Sequence, residues 1–142
     1  MTGWWFAAGC VGLYLLFAFF CARSNRGRVA AVAATRASPR REEFVAHLAD
    51  DCEPDIAEFV WTIFSEEYSG WGVELTPHPD DNYLEDMPID PDNQDDWLND
   101  FCTANNLNPT GILHWPDGQA TTVRNFARWL SDLRRSMGRV AA

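Results

Sequence analysis

The sequence predicts an all-α protein, an N-terminal transmembrane helix followed by a small four-helix bundle. Three observations predict it. Nineteen uncharged, mostly apolar residues run from Trp4 to Ala22. Behind them, apolar residues recur at helical spacing in segments bounded by capping residues, Gly and Pro. Pro77, Pro79, Pro88 and Pro91 fall in one stretch, which excludes an internal helix or a central strand there.

At 1.5 Å per residue, the run from Trp4 to Ala22 spans about 28 Å, close to the roughly 30 Å of a bilayer's hydrocarbon core. Trp4 and Trp5 stand where an aromatic belt anchors one end. A cleaved signal peptide would need a basic start and a small residue where Phe20 stands, three positions before a cleavage after Ala22. A lipoprotein signal at Ala-Ala-Gly-Cys10 would need the apolar run before the cysteine, and here it follows. An anchor therefore fits best. Arg23, Arg26 and Arg28 lie directly after the span, so the positive-inside rule expects the C-terminal domain in the cytoplasm of a single-pass inner-membrane protein. In that reducing compartment Cys52 and Cys102 are not expected to pair.

Charge is segregated along the chain. Residues 1–22 carry none, 23–41 carry six arginines and no acid, 42–123 carry twenty acids and no base, and 124–142 carry five arginines and one Asp. Four parts follow: an anchor at 1–22, a basic juxtamembrane linker at 23–41, an acidic helical domain at 42–138 and a tail at 139–142. The linker is Ala/Arg-rich, without an apolar stripe wide enough to pack a core. It is expected to extend the span as helix, to touch anionic lipid, or both. The acidic middle repels phosphates, so no nucleic acid is expected as a partner.

Within the domain, Ser38-Pro39 resembles an N-cap with proline at the first helical position, followed by Phe44, Val45 and Leu48. Pro54 opens a second helix with Ile56, Phe59, Val60, Ile63 and Phe64 on one face, ended by Gly70. A loop from Trp71 to about Pro91 follows. Asp92 with Asp95 then resembles a capping box for a helix burying Trp97, Leu98, Phe101 and Cys102. Pro109 and Gly111 break it, Ile112 to Trp115 is expected to be extended, and Thr121 or Thr122 caps a last helix. The face of that helix is Val123, Phe126, Leu130, Leu133 and Met137.

No catalytic constellation is evident. Asp90, Asp92 and Gln94 imitate the opening of a calcium loop, but Asp95 stands where Gly must turn the chain and Phe101 where a bidentate Glu is needed. His47, His78, His114, Cys52 and Cys102 lack zinc-site spacing. There is no Gly-rich phosphate loop, and no Ser between residues 70 and 130. Acid–base work needs two carboxylates in unlike environments, whereas a solvated acidic face gives them like ones. No cofactor, metal or catalytic residue is expected. Trp61, Trp71, Trp97, Trp115 and Trp129 could line a groove, but in a bundle this small most should be core.

What remains is the stretch from Asn82 to Phe101, with Glu85, Asp86, Asp90, Asp92, Asp95, Asp96, Asp100 and no base. An amphipathic helix, a long Pro-rich loop ending Leu-Glu-Asp, an acidic helix start and a closing helix resemble the acyl-carrier-protein fold over about residues 54–135. In that family the loop ends Glu-Asp-Leu-Gly-x-Asp-Ser, and the Ser carries phosphopantetheine. The matching run here is Glu85-Asp86-Met87-Pro88-Ile89-Asp90-Pro91, so Pro91 occupies the carrier-serine position and offers no hydroxyl. The closest likeness is to bacterial carrier-like families of unknown function that lack this serine.

The resemblance implies that the acidic helix is a docking face. Asp90, Asp92, Asp95, Asp96, Trp97 and Asp100 are then the expected contacts to a basic protein partner, with charge setting the association rate and the choice of partner. The bland alternative is a solubilising surface, since the helix dipole alone favours acids at a helix start. Two rivals are an immunity or inhibitor protein neutralising a basic toxin, and an atypical carrier in lipid or polyketide-type metabolism.

Overall fold

The longest element needs no partner to form. From Gly3 to Thr35 the chain has no proline, and the computed structural model, which describes residues 3–108 and 114–140, makes it one continuous helix of 33 residues, α1. Among the described residues nothing buries its apolar half, and side chains such as Trp4 (87 % exposed) and Phe17 (68 %) project outward. The helix is long and apolar enough to cross a membrane.

The basic half behaves differently from a free linker. Val29 is fully buried, and Val32 and Ala33 pack on the same core. These positions fall at i, i+3 and i+4, so three small apolar residues make one contact line down the helix. No wide stripe is needed because arginines on both sides hold the helix to the domain: Arg26 donates to the Gly72 carbonyl, Arg28 to the Glu85 carbonyl and Arg36 to Asp81.

The remaining helices are α2 (Arg41–His47), α3 (Pro54–Ser69), α4 (Asn93–Ala104) and α5 (Val123–Val140). Among the described residues there is no strand, only an isolated bridge between Asn82 and Thr122. The helix α2 begins later than Ser38-Pro39. The Glu43 carboxylate accepts the Arg40 N–H at 2.9 Å, so the cap is one turn of Arg40 and Glu43. Ser38 and Pro39 instead bind the loop: the Thr76 hydroxyl donates to the Pro39 carbonyl at 2.7 Å.

Pro54 does open α3, which buries Ile56, Ala57, Val60, Phe64 and Tyr68. The chain leaves α3 at Gly70, but Gly70 keeps right-handed geometry (φ −66°) and the left-handed residue is Gly72 at φ 62°. The loop that follows is irregular yet supplies core: Leu75, Tyr83, Met87 and Ile89 are all buried. It lies along the start of α5 through Tyr83 N–H to Thr121 O (3.0 Å), Val123 N–H to Asp81 O (3.0 Å) and Arg124 N–H to Pro79 O (2.7 Å).

Asp92 is the N-cap residue of α4, and the bonds that turn the chain into the helix come from Asp90. The Asp90 Oδ1 accepts the Asp92 N–H at 3.0 Å and its carbonyl accepts the Asn93 N–H at 3.1 Å, while the Asp92 side chain makes no capping bond. Trp97, Leu98, Phe101 and Cys102 face inward as the periodicity requires. Thr122 caps α5, its Oγ1 accepting the Asn125 N–H at 3.2 Å. The expected apolar face of α5 is buried from Val123 to Leu133, and the helix runs on to Val140 through the start of the expected tail. The extended piece expected at Ile112 and Leu113, and the break at Pro109 and Gly111, lie outside the described residues.

Phe64 stands at the centre of the core. Its ring lies 4.9 Å from Trp97, 5.3 Å from Tyr83 and 5.9 Å from Phe126, so α3, the loop, α4 and α5 all meet on one side chain.

Candidate acidic docking face

Helix α4 carries no basic residue, and its apolar side is committed to the core. Whatever faces outward is therefore acidic or neutral. Asp90, Asp92, Asp95, Asp96 and Asp100 are all exposed. Among the described residues none of the five enters an ion pair. Asp95 and Asp96 sit in the first turn, where the dipole favours a carboxylate. Asp100 does not, and it stands one turn after Asp96, where two like charges oppose each other. Local helix physics does not ask for Asp100.

Trp97 is a correction to the expected face. It is 6 % exposed, and its indole packs against Phe64, Tyr83 and Phe126. With Asp95, Asp96 and Asp100 pointing out, helical geometry turns position 97 inward. It holds α4 in place and offers nothing to a partner. Of the other tryptophans, Trp61, Trp71, Trp115 and Trp129 are half-buried against the core rather than gathered into a groove.

Half of the remaining acids of the domain are answered by arginine, chiefly those that face α5. Asp51 pairs with Arg124 and Arg128, Glu53 with Arg134 and Arg135, Asp55 with Arg134, Asp80 with Arg124 and Glu58 with Arg41. The Ser131 hydroxyl on Glu53, and Arg134 on Asp55, hold these two carboxyls below their usual range. The segregation of charge along the sequence thus becomes contact in space, with α5 laid across the start of α3.

One carboxylate that the sequence did not single out is the most engaged of all. Asp81 is 5 % exposed and accepts from Arg36 Nε at 2.7 Å, Arg36 Nη2 at 2.6 Å, the Tyr68 hydroxyl at 2.7 Å and the His78 N–H at 3.0 Å. Burial and the neighbouring Asp81 charge push the Tyr68 hydroxyl far above its usual pKa, so it stays a donor. Burial first, and then Arg36, hold His78 below its usual value. A shallow cleft of about 370 Å³ opens here, lined by Val32, Thr35, Arg36, His78, Asp80, Asp81 and Asp86. Its one arginine among the described residues is already occupied by Asp81.

The residues weighed for metal or nucleophilic chemistry are dispersed. The rings of His47 and His78 are 6.1 Å apart, and His78 Nδ1 accepts the Asp80 N–H at 3.2 Å. Among the described residues no three of His, Cys, Asp and Glu gather around a common point. Cys52 and Cys102 are both buried and free. Burial, with Asp51 and Glu53 beside it, pushes the Cys52 thiol up to about 11, which suppresses the nucleophilic thiolate. Along the run from Glu85 to Pro91, Glu85, Asp86 and Pro91 are exposed and Met87 is fully buried. The Asp86 carboxylate accepts the Asn82 N–H at 3.1 Å. Compared with family models, with curated proteins and with solved structures, the chain matches none.

Proposed function

We propose that this chain is a non-catalytic, membrane-tethered domain that docks a basic protein partner through the exposed acids of α4. The observation that carries the reading is a contrast: the acids facing α5 are paired, while Asp90, Asp92, Asp95, Asp96 and Asp100 stand exposed and, among the described residues, without a cation. Asp100 adds weight, because neither capping nor the helix dipole accounts for a charge there. A long apolar α1 supports the tether, and arginines directly after the span favour the cytoplasmic side.

The domain is proposed to be carrier-like in its order of elements, α3, a long loop, α4 and a closing α5, with Pro91 at the position where a carrier has its serine. Without that hydroxyl the fold serves binding rather than acyl transfer. Intact mass after incubation with a phosphopantetheinyl transferase and coenzyme A checks this; no gain is expected, and a gain of one prosthetic group contradicts it. Docking is checked by affinity purification of the full chain from its native membrane at low and high salt. A basic protein recovered at low salt and lost at high salt supports the reading. Recovery that is indifferent to salt contradicts it.

A further inference from the structure

We infer that the turn at residues 70–74 rests in the lipid headgroup layer, with Arg23, Arg26 and Arg28 facing lipid phosphates around the base of α1. The inference rests on α1 crossing the bilayer.

Depth comes from helix geometry. The apolar run ends at Ala22 and α1 continues unbroken, so Arg26 lies four residues, about 6 Å, beyond it along the axis. Headgroups occupy about 5–8 Å on each side of the hydrocarbon. Side chains on a helix lean toward its N-terminus, which here is toward the membrane. Arg26 Nη2 donates to the Gly72 carbonyl at 3.2 Å, and a Cβ on Gly72 would come within 4.0 Å of that guanidinium. The turn therefore lies at the depth its arginine partner reaches. The helix cannot slide to change this, because Val29 is enclosed by the core and Arg36 is held by the buried Asp81.

Charge comes from what the arginines lack. Arg36, Arg40, Arg41, Arg124, Arg128 and Arg134 each have a carboxylate partner. Arg26 and Arg28 donate to backbone carbonyls, and among the described residues no carboxylate pairs with them or with exposed Arg23. Three guanidiniums with their charge intact encircle the exit of the span, and guanidinium is the group best matched to phosphate oxygens. Trp71, half-buried in the same turn, is the residue type enriched at this depth. Glu66, Glu67 and Glu74 lie at the same end. Glu67 is bonded by Asn93 Nδ2 at 3.0 Å, and burial raises its pKa.

The test uses the full chain in nanodiscs of phosphatidylethanolamine and phosphatidylglycerol, with Cys10→Ala and Cys21→Ala and a spin label at Glu74→Cys. Parallel labels stand at Leu13→Cys in the span and Asn99→Cys on exposed α4. Collision with a water-soluble nickel complex is expected to fall several-fold at 74 relative to 99, and further still at 13. Adding Arg23→Glu is expected to return much of the access at 74. Equal access at 74 and 99 with 13 shielded overturns the seat and leaves the span standing. Full access at 13 overturns the crossing itself, and with it the inference. No response to Arg23→Glu overturns the phosphate contact.

Discussion

Asp51, Glu53 and Asp55 around the start of α3, and Asp92, Asp95 and Asp96 around the start of α4, are the same residue types in the same kind of place. Both sets suit the dipole of the helix they open. Among the described residues only the first set meets arginine, because α5 crosses the start of α3 with Arg124, Arg128, Arg134 and Arg135 on that side. The difference teaches that acid content alone says little about role. The acids of α3 are part of how the fold closes on itself, and those of α4 contribute nothing to closure that the structure displays.

The largest effect is expected where pairing is most complete. Arg36→Met leaves Asp81 buried without its counter-ion, and breaking a buried pair in this way costs about 3–5 kcal/mol. It should appear as a lowered urea midpoint, and it should also release the basic half of α1 from the domain, read as faster amide exchange near Val29. A loss under about 1 kcal/mol would mean that Tyr68 and the His78 N–H alone suffice for Asp81.

Next comes Asp51→Ala. The Asp51 side chain is 5 % exposed and bonded by two arginines, so about 1.5–3 kcal/mol is expected on loss of those charged hydrogen bonds. Acid should act in the same direction. His78 is held below its usual pKa, so the unfolded chain takes up that proton first and stability falls as pH drops below about 6.5. Asp55 and Glu53, also held low, keep their contribution above about 4 and lose it as pH falls through their folded values. Glu67 runs the other way, because its raised pKa favours the protonated folded state. Urea midpoints at neutral, mildly acidic and strongly acidic pH should therefore fall in two steps.

The smallest effect belongs to α4. Asp95→Asn with Asp96→Asn should change stability by no more than about 0.5 kcal/mol, and Asp100→Asn should stabilise slightly by relieving its repulsion with Asp96. A loss of about 2 kcal/mol in either variant would show that these acids serve the fold after all.

The sequence made one half of this comparison legible and hid the other. Helical spacing located the apolar faces of α3, α4 and α5, because burial imposes a period that single residues display. Charge segregation, visible without contacts, showed where the acids are but not which of them meet arginine. Asp81 was invisible for the opposite reason. Its partners Arg36, Tyr68 and His78 come from the residue just after α1, from α3 and from the loop, and nothing local marks a pair separated by 45 residues. The docking of α1 was hidden likewise: Val29, Val32 and Ala33 are too few to read as a face, and nothing local marks the core they pack on. Trp97 shows the limit of grouping by neighbourhood, because one position along a helix is about 100° around it.

The central claim is that the acids of α4, and not acidity in general, recognise a partner. The most direct measurement is a side-by-side affinity purification from the native membrane of wild type, Asp95→Arg with Asp96→Arg, and Asp55→Asn with Glu58→Gln. The account predicts that the α4 variant folds and loses the basic partner, while the α3 variant is less stable and keeps it. Partner recovered equally with all three, or lost only with the α3 variant, would contradict it.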